Sequence, residues 1–184
     1  EMVIEMLVTD QPKREISHDP DSHFWQMADK VNVKKSRFDK KNPEIIPEAD
    51  NSHVAMSVNL DACINCNLCV RACREVQVND VIGMGNRGHT SKVIFDFNDP
   101  MGDSTCVSCG ECVQACPTGA LMESNLLDEK GKKIVKPDRK VDSLCPYCGV
   151  GCQLTYNIKD EKIVSVDGRD GPANNNRLCV KGRF

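Results

Sequence analysis

Between residues 54 and 60 apolar and polar positions alternate, with Val54, Met56, Val58 and Leu60 on one side. This period of two predicts a half-buried strand running into the first cysteine. From Leu68 to Val76 the apolar spacing becomes helical, and Val81-Ile82 and Val93, Phe95 and Phe97 then predict two strands around a glycine-rich bend. A short helix through Val113-Gln114-Ala115 and the run Ala120-Leu121-Met122 repeat that arrangement. Further on, Leu154, Tyr156 and Ile158 alternate, Asp160-Glu161 turn the chain and Ile163 to Val166 return, which predicts a hairpin. Near the start, Met2, Val3, Met6 and Leu7 recur at helical spacing. A second short helix is expected from about Ser22, with Phe24, Met27, Ala28 and Val31 on one side and Trp25 as an anchor in a core or subunit contact. Asp19-Pro20, Asn42-Pro43 and Pro47 punctuate this stretch, and the charges from Lys34-Lys35-Ser36-Arg37 to Lys40-Lys41 read as solvated connection.

The cysteines sharpen this outline. Of 184 residues 12 are Cys, while only eight are aromatic, so each apolar core is thin and metal is the expected complement. Residues 1–53 contain no Cys and read as a helical or linking segment. Residues 54–126 form one cysteine-bearing unit, residues 127–142, charged and Gly- and Lys-bearing, a linker, and residues 143–184 a second, β-rich unit. The fold class is α+β. Mean hydropathy is −0.42 and no apolar run approaches the roughly 20 residues of a membrane span. Net charge is −3, with 12 basic against 8 acidic side chains only in residues 125–184. Nucleic acid binding needs a concentrated basic stripe with stacking aromatics, and the chain supplies neither. An even cysteine count also suits a secreted disulfide framework, but no basic start, apolar stretch and cleavage site precede it, so a cytoplasmic, thiol-reducing compartment is expected. Glu1 is not an initiator, and the chain reads as a segment of a longer subunit.

Cys63-x2-Cys66-x2-Cys69-x3-Cys73 and Cys106-x2-Cys109-x2-Cys112-x3-Cys116-Pro117 are two copies of the bacterial ferredoxin run, 43 residues apart. Three thiolates of each run converge on one cubane and the fourth reaches the neighbouring one. Cys63, Cys66, Cys69 and Cys116 are therefore expected on one 4Fe-4S cluster, and Cys106, Cys109, Cys112 and Cys73 on a second. The competing chemistry is a pair of structural zinc sites, which two identical x2-x2-x3 runs do not call for. Arg74 stands where the run usually has Pro, which affects backbone shape and not ligation. A third group, Cys145, Cys148 and Cys152 on a Gly-rich loop with Cys179 arriving after 26 intervening residues, gives a further four-thiolate cluster site. Each such cluster carries about −2 when oxidised, so three take the net charge to about −9.

Cys-Pro-Tyr-Cys-Gly-Val-Gly-Cys at 145–152 with Leu-Cys-Val-Lys-Gly-Arg-Phe at 178–184 resembles the N-terminal 4Fe-4S domain of the molybdopterin oxidoreductase family. With Val-Asp-Gly-Arg-Asp-Gly-Pro-Ala-Asn at 166–174 and the two-cluster unit upstream, the chain is similar to the catalytic subunit of soluble NAD-dependent molybdenum or tungsten formate dehydrogenases. Residues 60–77 also resemble the ferredoxin-like module of the large peripheral subunit of NADH:quinone oxidoreductase. The resemblance implies three 4Fe-4S clusters here and, in a further domain of the same subunit, a bis-molybdopterin guanine dinucleotide with Mo or W. It also implies a partner iron–sulfur subunit carrying FMN and binding NAD. On this view the chain only transfers electrons, with no catalytic residue of its own. Lys181 matches the lysine that lies between the proximal cluster and the pterin, where an ammonium stabilises added charge. The His-ligated cluster that precedes this module in several relatives has no counterpart, since no Cys lies before 63. A free-standing polyferredoxin-like carrier, or the same portion of another molybdopterin oxidoreductase such as a nitrate reductase, is the alternative.

Gly83-x-Gly85-x-x-Gly88 matches the dinucleotide fingerprint, but that motif must open a helix, and the alternation that follows is a strand's, so a hairpin bend is expected. His18, His23, His53 and His89 are scattered and are expected in surface or capping roles.

Overall fold

The computed structural model describes residues 1–38 and 46–184; Lys40-Lys41 and Asn42-Pro43 lie outside them. Two short helices open the chain, α1 (Met2–Val8) and α2 (His23–Lys30). Ser22 caps α2, and Trp25, Phe24, Ala28, Val8 and Val33 form a small core on which Ile64 of the first cysteine loop packs. Trp25 is the anchor the sequence implied, 2% exposed, with Nε1–H donating to Ser17 Oγ. Helix α1 forms where the apolar spacing predicts it, with its polar side inward. Met2, Val3 and Met6 face water, and Glu5 and Val8 are the buried residues, because the Glu5 carboxylate accepts from the Arg37 N–H and pairs with its guanidinium.

The main core is built by β1 (Met56–Val58), helix α3 (Leu68–Arg71) and its wider continuation at Ala72–Val76, β2 (Ile82–Gly85), β3 (Lys92–Phe95), α4 (Glu111–Ala115) and β4 (Leu121–Glu123). Strands β1 and β4 pair antiparallel, Val58 opposite Leu121, so the two halves of the repeat close on each other. Strand β1 is shorter than the alternation from Val54 predicts and buried on both faces, while Val54 itself is 94% exposed. Strands β2 and β3 form the expected hairpin, with Gly83 opposite Ile94, and Gly83, Gly85 and Gly88 belong to it and its bend. Phe97 leaves this sheet and is 97% exposed, because Asp96 and Asn98 on either side take left-handed conformations that turn the chain.

The last unit is one antiparallel sheet, β5 (Arg139–Leu144), β6 (Gln153–Lys159) and β7 (Lys162–Gly168), followed by helix α5 (Val180–Arg183). Asp160 and Glu161 both adopt positive φ, as a two-residue hairpin turn requires. Strand β5 begins at Arg139, inside the stretch read as linker. The rest of that stretch is pinned by the Leu127–Lys133 bridge and by Lys133 N–H donating to the His18 carbonyl. His18 holds both ends of this tie. Its Nδ1 lies 2.9 Å from the Gly131 carbonyl and its Nε2 2.7 Å from Asp61 Oδ1. Burial opposes its charge, but the bond to Asp61 and that residue's charge outweigh it and raise its pKa.

Candidate metal centres

Each repeated run folds as a loop entering a short helix. The loops share a backbone signature, positive φ at Asn65 and Asn67 in the first and at Ser108 and Gly110 in the second, 43 residues on. These left-handed residues coil the loop so that backbone N–H groups turn toward sulfur, and Asn65 and Ser108 each donate to the thiol two residues before, Cys63 and Cys106, at 3.4 Å. Val81 N–H donates likewise to Cys73 Sγ. The helices after the loops end differently. Pro117 excludes helical geometry from Cys116, which is extended, whereas Arg74 has an N–H to give and the turn continues as far as Val76.

The helix ends carry the fourth thiols across. One cavity is lined by Cys63, Cys66, Cys69 and Cys116, with Leu60, Ile64, Val93 and Leu121 among its apolar walls. A second is lined by Cys73, Cys106, Cys109 and Cys112, with Val81 and Ile82. No charged side chain lines either one. Burial pushes the Cys69 thiol up to about 12, and Cys116, Cys63 and Cys66 add to the effect in that order. Burial likewise raises Cys112, whose other influences are Cys109, Cys106, Cys69 and Cys73. Each set of four thiols lines a cavity, and among the described residues no three of His, Cys, Asp and Glu form a compact single-ion group.

The third thiol set sits on the end of the three-stranded sheet. Cys145 is buried with Leu154, Val166 and Leu178, its N–H bonded to the Cys152 carbonyl at 2.8 Å. Burial raises Cys152, followed by the influence of Cys145, Cys148 and Cys179, so the four share one neighbourhood. Cys148 and Cys179 are exposed. Lys181 is exposed too, two residues past Cys179 on α5.

Several supporting residues carry no sequence signal. His53 is buried, and its Nδ1 accepts from the N–H groups of Ala55 and Met56 at the start of β1, while Nε2 lies 2.9 Å from Ser108 Oγ in the second loop. Burial lowers its pKa, which suits a neutral ring accepting at one nitrogen and donating at the other. A cleft between the units is lined by Cys116, Glu123, Asn157, Asp167, Lys133 and Arg183, among others. Burial there raises the Glu123 carboxyl to about 7, with Asp167 adding to it.

Two thiol-walled cavities side by side in a twofold-repeated module, with a third thiol set on its own sheet, define an iron–sulfur protein. Residues 138–184 match the molybdopterin oxidoreductase Fe4S4 domain, and residues 62–120 the 4Fe-4S dicluster domain. The chain thus joins an Fe4S4 domain of the molybdopterin oxidoreductase type to a 4Fe-4S dicluster domain, an iron–sulfur electron-transfer region. Among curated relatives, two named "Putative formate dehydrogenase" come from Staphylococcus haemolyticus, 34% identical over 67% of this chain, and Staphylococcus aureus (strain USA300), 32% identical over 66% of it. The chain spans 16% of the length of each. A solved chain of an NAD+-reducing [NiFe]-hydrogenase in the H2-reduced state has the same fold, with a TM-score of 0.56 at 24% identity, over 66% of this chain and 52% of that one. Among the described residues no helix is long and apolar enough to cross a membrane.

Proposed function

We propose that this chain is the electron-transfer portion of a formate dehydrogenase, carrying electrons from a molybdenum or tungsten pterin site in the same subunit toward a flavin- and NAD-binding partner. The observation that carries this reading is the crosswise lining of two cavities, each by three thiols of one run and one of the other. Zinc draws its ligands to about 2.3 Å from one point, whereas a cubane needs sulfurs spaced around a cage. The uncharged walls and the inward N–H groups fit the cubane.

Cys63, Cys66, Cys69 and Cys116 would hold one 4Fe-4S cluster, Cys73, Cys106, Cys109 and Cys112 a second, and Cys145, Cys148, Cys152 and Cys179 a third. Such a cluster, when bound, supplies a site for one electron at a time. The protein's own part is to exclude water and direct N–H groups at sulfur, which sets the potential. The exposure of Cys148, Cys179 and Lys181, beside the buried Cys145, supports a third site that faces a pterin domain. Formate-dependent bleaching of the visible absorption of the full complex tests the reading. No bleaching with formate, but bleaching with dithionite, would keep the iron–sulfur assignment and reject formate as the donor.

A further inference from the structure

Arg183 and Glu111 form a buried ion pair outside all three thiol sets. Arg183 Nη2 lies 2.5 Å from Glu111 Oε1, and both side chains are almost wholly out of water. Arg183 Nε donates to the Cys109 carbonyl at 2.9 Å, and its backbone N–H donates to the Cys179 carbonyl at 3.2 Å. One residue thus spans from a member of the second thiol set to a member of the third. Glu111 Oε1 also accepts from the Leu178 N–H at 3.0 Å. Gly110 makes room for this clamp, because a Cβ there would lie 2.0 Å from Arg183 Cδ. Flanking bonds run from Gln77 Nε2 to the Leu178 carbonyl and from Gln114 Nε2 to the Asn176 carbonyl.

A buried ion pair joins two surfaces at high desolvation cost, and packed apolar residues of equal volume often hold them as well. What the pair adds is direction, since the guanidinium fork fixes angle and distance together. Among the described residues no buried ion pair links the first thiol set to the last unit. Its loop is tied to the N-terminal segment, through Gln11 Nε2 to the Ala62 carbonyl and His18 to Asp61.

We propose that Arg183, clamped by Glu111, is a positioning residue that sets the separation between the Cys145 thiol set and the Cys73 set, making the latter the station that exchanges electrons with the third. This deepens the cluster reading and rests on it. The step is the passage of one electron, with no bond made or broken, one centre being oxidised as the other is reduced.

Electron paramagnetic resonance of the dithionite-reduced full-length subunit reads the magnetic interaction between these centres, and hydrogen exchange reads the 176–183 segment. Arg183→Lys keeps the charge and loses the fork. It is expected to retain iron, to exchange roughly tenfold faster across 176–183, and to show a weakened interaction. Gln114→Ala, which removes two flanking bonds, to the Asn176 carbonyl and from the Gly168 N–H, and leaves the Arg183–Glu111 pair in place, is expected to leave the interaction intact. Wild-type interaction and exchange in Arg183→Lys, or equal weakening in Gln114→Ala, would overturn the proposal. Should Arg183→Lys lose iron, the double variant Arg183→Met with Glu111→Leu, which restores a packed contact without the fork, is judged by the same two outcomes. Unmodified subunit lacking iron and sulfide would instead reject the cluster reading beneath it.

Discussion

Glu123 is a carboxyl kept where ionisation is costly. It ends β4, is 7% exposed, and lines the cleft beside Asp167 and the unpartnered Asn157 Oδ1. An unfolded Glu titrates near 4.5 and this one near 7, so the folded chain binds the extra proton between those values. Folding is therefore unpenalised below about pH 4.5, and the penalty grows as pH rises through 7 to roughly 3 kcal/mol. Thermal unfolding of the loaded protein should lose stability from pH 6 to 8, and Glu123→Gln should flatten that slope; an unchanged slope would move the effect elsewhere. His18, raised toward Asp61, works in the same direction, its contribution fading as pH rises past its folded value.

The cysteines make a second prediction at this scale. Cys116→Ser should remove iron from the same centre as Cys63→Ser, and Cys73→Ser from the same centre as Cys106→Ser, read by resonance spectra of the reduced variants. The x2-x2-x3 spacing singles out eight of the 12 cysteines, because it has few other uses, and the Gly-rich loop with the distant Cys179 singles out the other four. Arg183, Glu111 and His53 were not. They act through partners 55 to 74 residues away, and no local period marks a residue whose role is to meet a distant backbone carbonyl or hydroxyl.

Among the elements, the two halves of the repeat teach most by differing. Both loops coil through left-handed residues, but the first uses Asn65 and Asn67 where the second uses Ser108 and Gly110. Only Gly110 meets a further demand, the passage of Arg183 over its α-carbon. Gly110→Ala should cost at least about 2 kcal/mol, combining strained φ with the clash, and should loosen α5 in hydrogen exchange before it affects β2 and β3. Strands β1, β2 and β3 and the β6–β7 hairpin were readable from alternation and turn residues, whereas β5, mostly exposed and charged at its start, was read as linker. The helical spacing near the start is readable too, but it does not tell which face of α1 packs, because Met2, Val3 and Met6 turn outward and the inner face is fixed by one buried carboxylate, Glu5, which hydropathy counts as polar.

Taken whole, the described residues form three small apolar clusters, and the largest includes Cys69, Cys73 and Cys112 as members. Thiols at these positions serve as core only if something fills the space between them. Removing iron by oxidation and chelation should therefore unfold the dicluster module and expose its amides, because metal binding and folding are coupled. Retained native circular dichroism would show a core that stands without metal. The charge follows the same logic, since a chain of −3 becomes an acidic one of about −9 once three clusters are loaded.

The central claim is that these 12 thiols hold three cubanes, the first two by crossed ligand sets. Metal and sulfide analysis of the anaerobically purified full-length subunit, counted over this region, tests it most directly. About 12 iron and 12 acid-labile sulfide are expected, with a broad visible absorption that bleaches on dithionite. Zinc without sulfide at these positions would contradict it.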